Sequence, residues 1–192
     1  MSVAEAVQKA GMEGVDLAQR WLESTTWIEL PFNAYDNTAV CTLTKLDGTV
    51  KRYDLFGSIF TKPIKPLYVE VKNYDSSGGK QSAEYTEFLV NAYSITAKDI
   101  QSGQDGYREF MWVTTHPFSL NAWPTLTSPS AIKDALGKHP DVLNNNEVDV
   151  NLLDLLSDRL WLLVLHRRQE QLMLTSEELS LIEAQINRKG KK

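Results

Sequence analysis

Three charged side chains in the first half of the chain have the types and spacing that phosphodiester hydrolysis requires. Glu70 and Lys72 are separated by a single valine, and Asp54 precedes them along the chain. Two carboxylates can share a magnesium ion through oxygen ligands, and a neighbouring ammonium group supplies positive charge near the negative charge that develops on a phosphate. These residues can act together only if the secondary structure brings them to one place.

Alternation in residues 67–72 predicts a strand that carries a polar pair on one face. The segment reads Leu-Tyr-Val-Glu-Val-Lys. Successive side chains of a strand point to opposite faces, so Glu70 and Lys72 share one face, roughly 7 Å apart, while the aliphatic side chains occupy the other. On this short motif alone, a structural ion pair on a half-exposed sheet is the stronger interpretation.

A hairpin predicted just before this strand positions Asp54. Two β-branched and apolar segments, 38–46 and 50–56, flank an Asp-Gly pair, which is the strongest short-range signal of a tight turn. Asp54 then lies on the returning arm. Neighbouring strands lie about 5 Å apart, so Asp54 and Glu70 can share a hard cation if this arm runs beside the next strand.

The remaining pattern predicts an α/β fold, with a central mixed β-sheet flanked by helices. Apolar residues recur at helical spacing over 3–24, and an extended segment follows at 27–32, where Pro31 argues against a central strand. Further predicted elements are a turn at 76–79, a helix at 80–94, a strand at 108–115, a loop at 121–130, helical stretches at 129–138, 148–173 and 176–188, and a basic tail at 188–192.

In residue type, order and predicted location, Asp54, Glu70 and Lys72 resemble the PD-(D/E)xK, or restriction-endonuclease-like, superfamily of nucleases. Its pattern is an acidic residue late in one strand of a hairpin, a spacer, and Asp/Glu-x-Lys in the next strand. This chain has Tyr53-Asp54 in place of Pro-Asp, a departure that many members share.

The helix predicted after the lysine strand extends the resemblance. Gln81 and Tyr85 match the Gln-x-x-x-Tyr element of RecB/Cas4-type members. Residues four apart lie on one helix face, so both side chains can point toward the sheet edge that carries the metals. Taken singly, each has an ordinary interpretation as a helix start and a packed aromatic side chain.

The resemblance implies a role for each matching residue. Asp54, Glu70 and the main-chain carbonyl group of Val71 would bind Mg²⁺ or Mn²⁺, and Lys72 would orient or activate the attacking water. Gln81 and Tyr85 would belong to the same catalytic set.

The first helix offers one more metal ligand by the same resemblance. Glu13 and Asp16 lie three residues apart on one face, and many such nucleases place an acidic residue of this helix near the metals. Either residue could complete the metal site, and Glu13 is taken as the candidate ligand. The other interpretation is an acidic face exposed to solvent.

Because the resemblance covers roughly residues 5–118, it implies a nuclease-like core over 1–120. Residues 121–192 would form a helical C-terminal extension that packs on the core or forms an interface with another copy or a partner.

The expected function is hydrolysis of DNA, favoured over RNA, by the nuclease subunit of a bacterial antiviral defence or repair complex. Such a subunit would work as a homo-oligomer or with a partner such as an ATPase or helicase. The alternative is a catalytically silent subunit that keeps the fold for nucleic-acid binding or assembly.

Composition limits the partners and the compartment. The formal net charge is −5, while residues 45–80 carry seven cations and four anions, so any nucleic-acid surface has to be local. The single cysteine, Cys41, fits a reducing compartment, and the first residues lack the pattern of a secretory signal. Charged residues interrupt the most apolar segment, 150–165, so we expect no membrane span and a soluble, cytoplasmic protein.

Overall fold

Seven strands and five α-helices follow one another in this computed structural model, which describes residues 3–74 and 80–186. The predicted turn at 76–79 and the predicted basic tail at 188–192 lie outside the described residues. The chain has the expected α/β architecture, with a central mixed sheet flanked by helices.

The central sheet has five strands in the order β1-β4-β5-β6-β7. The first three pair antiparallel, and β5, β6 and β7 run parallel. β1 lies at an edge, as its proline predicted. The strands are β1 (Ile28–Asn33), β4 (Leu55–Ile59), β5 (Lys65–Lys72), β6 (Glu109–Thr114) and β7 (Leu160–Val164).

The predicted hairpin is only partly correct, because its returning arm is divided between two sheets. β2 (Thr42–Thr44) and β3 (Val50–Arg52) form a small separate hairpin around the predicted Asp-Gly turn. The chain changes strand partners between Tyr53 and Asp54. The N–H of Tyr53 still donates to Cys41 O beside the small hairpin, at 2.9 Å, whereas the N–H of Asp54 donates to Val69 O of β5, at 2.9 Å. Asp54 therefore enters the central sheet beside β5.

Helices cover both faces of the central sheet. α1 (Val3–Ser24) packs against β1 and β5, and α2 (Gln81–Gln101) covers β6 on the opposite face together with two shorter helices. No helix within the described ranges is long and apolar enough to cross a lipid bilayer. The shorter helices are α3 (Pro129–Lys138) and α4 (Val150–Ser157), and α5 (Ser176–Gln185) ends the described chain.

The alternation predicted for residues 67–72 is confirmed by the two hydrophobic cores. Leu67 and Val69 belong to the core beneath α1, whereas Tyr68 belongs to the core beneath α2. Glu70 and Lys72 therefore lie on the α2 side of β5. Both faces of this strand are covered, so its charged side chains need partners inside the protein.

The prediction of one helix over 148–173 is wrong. The segment contains α4, then β7, then a 3-10 helix at Arg167–Leu172. A strand buried in a parallel sheet is apolar without a period of two, so its leucines resemble those of a buried helix. β7 pairs with β6 in the central sheet, so residues 121–192 are not a purely helical extension and the predicted boundary at 120 cuts through one sheet.

Candidate active site

Asp54 lies at the junction between the small hairpin and the central sheet. Its backbone is fixed on both sides, since its N–H donates to Val69 O and its carbonyl accepts from Ala34 N, each at 2.9 Å. Its carboxylate Oδ2 accepts a hydrogen bond of 2.7 Å from the N–H of Val71. The side chain is therefore turned toward the end of β5, beside the Glu-Val-Lys segment.

Glu70 is a buried carboxylate held between two lysines. Its side chain is only 9% exposed, with Lys51 Nζ 2.8 Å from Oε2 and Lys72 Nζ 3.0 Å from Oε1. The contact with Lys51 is an ion pair without hydrogen-bond geometry. Oε2 therefore has no hydrogen-bond partner among the described residues. A buried carboxylate oxygen in this situation is a strong acceptor for a further positive charge.

Lys72 is the cation at the centre of the site. Besides Glu70, its ammonium lies 3.6 Å from Glu84 Oε2 on α2 and 5.6 Å from the centre of the Trp112 ring. Burial lowers the pKa of Lys72, but the negative charges of Glu70, Glu84 and Asp54 outweigh burial and leave the pKa raised. Lys72 is therefore held in its charged form.

The ionisation of Asp54 is affected by its burial and by the neighbouring Glu70 carboxylate. Burial and the negative charge of Glu70 raise the pKa of Asp54 to about 6, although the N–H of Val71 and the positive charges of Lys72 and Lys51 act in the opposite direction. Two carboxylates that repel each other in a buried place favour either a proton or a metal ion between them. The Asp54 carboxylate thus lies beside the Glu70–Lys72 segment, within electrostatic reach of Glu70.

Gln81 begins α2 next to the end of β5. Its side chain is 1% exposed, and its amide Nε2 donates to Thr114 Oγ1 at 2.5 Å and to His116 O at 3.0 Å. Thr114 is the register partner of Lys72, so Gln81 lies close to the candidate site. Its Oε1 is buried and has no hydrogen-bond partner within the described chain.

Tyr85 lies one helical turn further along, and its contacts are those of a core residue. Its ring packs edge-on to Trp112 at 5.4 Å and beside Phe118 at 5.1 Å, and its hydroxyl donates to Leu126 O at 3.0 Å. Burial raises its pKa well above the ordinary value. The structure thus gives Tyr85 a packing role and assigns its hydroxyl to a loop carbonyl.

Glu13 and Asp16 lie on α1 and line a separate cavity. This cavity is also bordered by Arg20, Asn73 and Glu170, and the Glu13 carboxylate is half-exposed with Lys9 at 3.9 Å. In the described parts of the chain, no three acidic, histidine or cysteine side chains are grouped so that they could hold a metal ion. Neither Glu13 nor Asp16 therefore joins Asp54 and Glu70 as a third side-chain ligand here.

The remaining donors still fit a hard divalent cation. Asp54 and Glu70 offer carboxylate oxygens, and Val71 stands between Glu70 and Lys72 on the same strand. Two buried oxygens without hydrogen-bond partners in the described chain, Glu70 Oε2 and Tyr53 Oη, lie near this point. Burial and the charge of Glu70 raise the pKa of Tyr53 well above its usual range, in keeping with that proximity. Oxygen donors of this kind suit magnesium or manganese.

Sequence reasoning missed three residues that complete the charge cluster. Lys51 reaches Glu70 from the small hairpin, Glu84 reaches Lys72 from α2, and the Tyr74 hydroxyl donates to Glu84. A signal for Glu84 was available, since it falls on the same helix face as Gln81, three residues later. The signal for Lys51 was weaker, because its approach to Glu70 depends on where the hairpin leaves the sheet.

No protein-family model matches the chain, and no curated protein matches its sequence. Among solved structures the chain is similar to the SAVED/CARF-domain-containing receptor Cap4 of Acinetobacter baumannii, with 11% identity, a TM-score of 0.32 and coverage of 75% of this chain and 35% of that chain. The same receptor with the cyclic trinucleotide 3'3'3'-cAAA gives 13% identity, a TM-score of 0.29 and coverage of 75% and 30%. Cap4 of Moraxella osloensis gives 14% identity, a TM-score of 0.34 and coverage of 93% and 40%. The chain spans less than half the length of these receptors, and the likeness is too loose to assign an activity.

Proposed function

We propose that this chain is a metal-dependent nuclease that hydrolyses phosphodiester bonds. The observation that carries the proposal is the convergence of Asp54, Glu70 and Lys72 at the end of β5. Asp54 bonds to the backbone between the other two residues, and Glu70 contacts Lys72 directly at 3.0 Å. A purely structural ion pair would not require Asp54, whose raised pKa indicates that its charge is unfavourable without an added cation.

Lys72 is the residue that acts on the reacting groups. Its ammonium is held by Glu70 and Glu84 above the ring of Trp112, which restricts its orientation. A protonated amine in this position donates hydrogen bonds to the attacking water and to a phosphate oxygen, and it stabilises the negative charge that develops there.

The two carboxylates and the Val71 carbonyl group are the groups that would hold Mg²⁺ or Mn²⁺. When bound, such an ion polarises the phosphate and lowers the pKa of water. Asp54 is pre-oriented for this role by its hydrogen bond from the Val71 N–H, and Glu70 presents a buried oxygen beside it.

The proposal extends to the substrate and the setting. DNA is the favoured substrate over RNA, and the chain would act as a homo-oligomer or with a partner such as an ATPase or helicase in a bacterial antiviral defence or repair system. This part rests on the resemblance to PD-(D/E)xK nucleases, because the site itself does not distinguish deoxyribose from ribose.

A catalytically silent subunit is the second candidate, and one observation favours it. Lys51 and Lys72 both neutralise Glu70, so the carboxylate already has two cationic partners without a metal ion. A fold retained only for nucleic-acid binding or assembly could keep such a cluster as a structural network.

The two candidates are separated by a cleavage assay combined with calorimetry. Supercoiled plasmid, linear duplex, single-stranded DNA and RNA are incubated with the protein and Mg²⁺ or Mn²⁺, with EDTA as the metal-free reference. We expect wild-type cleavage, a loss of roughly 100-fold or more in Lys72→Ala with metal binding retained, and loss of metal binding in Glu70→Gln.

Lys133→Ala is the matched control, because Lys133 is an exposed lysine on α3. It should cleave at the wild-type rate. Wild-type protein that cleaves none of the substrates with either metal, and binds neither metal in the calorimeter, would support the silent subunit instead.

A further inference from the structure

A cleft of about 360 Å³ lies between the small hairpin and the outer surface of α2. Lys45 and Lys51 line its hairpin side, Asn91 lines its α2 side, and His139 and Asp141 line the side formed by the short 3-10 helix after α3. Its volume falls at the lower end of the range, roughly 300–1,000 Å³, that is usual for small-ligand sites. We refer to it as the hairpin cleft.

Lys51 joins the hairpin cleft to the candidate active site. The same side chain that lines the cleft places its Nζ 2.8 Å from Glu70 Oε2. A ligand in the cleft would therefore extend to within one side chain of the buried carboxylate. The cleft is a neighbour of the reacting centre and does not share its carboxylates.

The chemistry of the cleft is mixed and does not suit a lone anion. Its two lysines are balanced by Glu87 and Asp141, both exposed carboxylates, and Lys45 is also 3.5 Å from Asp47. A free phosphate would meet as much negative charge as positive charge. A nucleotide fits better, since its phosphate can lie toward the lysines while its base faces groups that both donate and accept hydrogen bonds.

Asn91 and His139 are the groups suited to a base edge. Both side chains are half-buried, so their positions are restricted, and both can donate and accept hydrogen bonds. The apolar part of the lining is the exposed side chain of Val50, together with the nearly buried side chains of Val90 and Val142. A base that turns its Watson–Crick edge toward Asn91 and His139 has to be unpaired, because that edge cannot bind a complementary base at the same time.

We propose that the hairpin cleft binds one unpaired nucleotide beside the phosphodiester bond that is cleaved. This inference rests on the proposed function for the position of that bond, but binding in the cleft does not require cleavage. The protein would accordingly bind single-stranded DNA, or a frayed end, more tightly than a closed duplex.

The test is fluorescence anisotropy in EDTA, which measures binding without a metal-dependent reaction. The probes are a labelled 12-nucleotide single strand and a labelled blunt hairpin duplex of the same composition. We expect Asn91→Ala and His139→Ala each to weaken binding of the single strand roughly 3- to 10-fold, the effect of one lost hydrogen bond, and to change duplex binding by less than 2-fold.

Asn151→Ala is the matched control, because Asn151 is an exposed asparagine on α4 away from the cleft. Single-strand affinities of both cleft variants within 2-fold of wild type would overturn the inference, and so would equal losses for the two probes. If the wild type cleaves no substrate but the cleft variants still lose single-strand binding, the nuclease proposal fails and the cleft assignment stands.

Discussion

At the scale of single residues, the stability of the site depends on how its buried charges are compensated. Burying a carboxylate such as Glu70 is unfavourable unless charged partners compensate, and here Lys51 and Lys72 supply that compensation. Asp54 is less well compensated, because it receives one backbone hydrogen bond and lies beside another carboxylate. This arrangement should lower the free energy of unfolding of the metal-free protein by a measurable amount.

We predict that Asp54→Asn stabilises the metal-free protein at neutral pH. The folded protein raises the pKa of Asp54 from 3.8 to about 6, so this group favours folding fully below about pH 4 and loses that contribution as the pH rises through about 6. Asparagine keeps an oxygen for the Val71 N–H and carries no charge. Chemical unfolding in EDTA should show the variant gaining roughly 2 kcal/mol relative to wild type between pH 4 and pH 7.

Asp134→Asn is the control for this experiment, since it removes an exposed aspartate on α3. Its pH profile of unfolding should follow that of wild type. An Asp54→Asn protein whose difference from wild type stays constant between pH 4 and pH 7 would show that the carboxylate is not held in an unfavourable charged form.

At the scale of elements, β4 depends on one glycine for its place beside β1. A β-carbon added to Gly57 would lie 1.8 Å from the carbonyl oxygen of Glu29, which is impossible without moving the backbone of β1. The pairing of these strands is irregular between Glu29 and Phe32, so the close approach coincides with a bulge. β4 follows directly after Asp54, so this contact also supports the active site.

We predict that Gly57→Ala destabilises the protein by roughly 3 kcal/mol or more, because the clash is with backbone atoms that cannot rotate away. Gly137→Ala on α3 is the matched substitution, since an added β-carbon there meets nothing within 4 Å. It should leave stability unchanged or raise it by up to about 1 kcal/mol. Thermal and urea unfolding would compare the two, and equal effects would contradict the packing argument.

Local sequence signals predicted most elements near the site because those signals are periodic. The strand at 67–72, the turn at Asp47-Gly48 and the helix at 3–24 could be predicted from alternation, turn chemistry and helical spacing. The predicted strand puts Glu70 and Lys72 on one face, as β5 does. β7 could not be recognised from the sequence, because Leu160–Val164 is apolar throughout and follows a leucine-rich helix. The contact of Lys51 with Glu70 could not be predicted from the sequence either. It depends on the change of strand partners between Tyr53 and Asp54, which no local sequence pattern indicates.

At the scale of the whole molecule, the C-terminal third divides into a part that the fold needs and a part that it does not. β7 completes the sheet beside β6, all six of whose residues are buried, and Arg159 just before it is bound by Asp105 through two hydrogen bonds of 2.7 and 2.6 Å. α5, in contrast, contributes no buried side chain within the described chain.

We therefore predict opposite outcomes for two truncations. A protein ending at residue 174 loses α5 and should unfold cooperatively, within about 1 kcal/mol of the full chain, because little apolar area is lost from the core. A protein ending at residue 158 loses β7 and leaves the edge of the buried strand β6 unpaired, so it should aggregate or unfold without a cooperative transition. Solubility, near-ultraviolet circular dichroism and urea unfolding distinguish the two. Cooperative unfolding of the shorter protein would mean that residues 1–158 form an independent core to which β7 is only an attached strand.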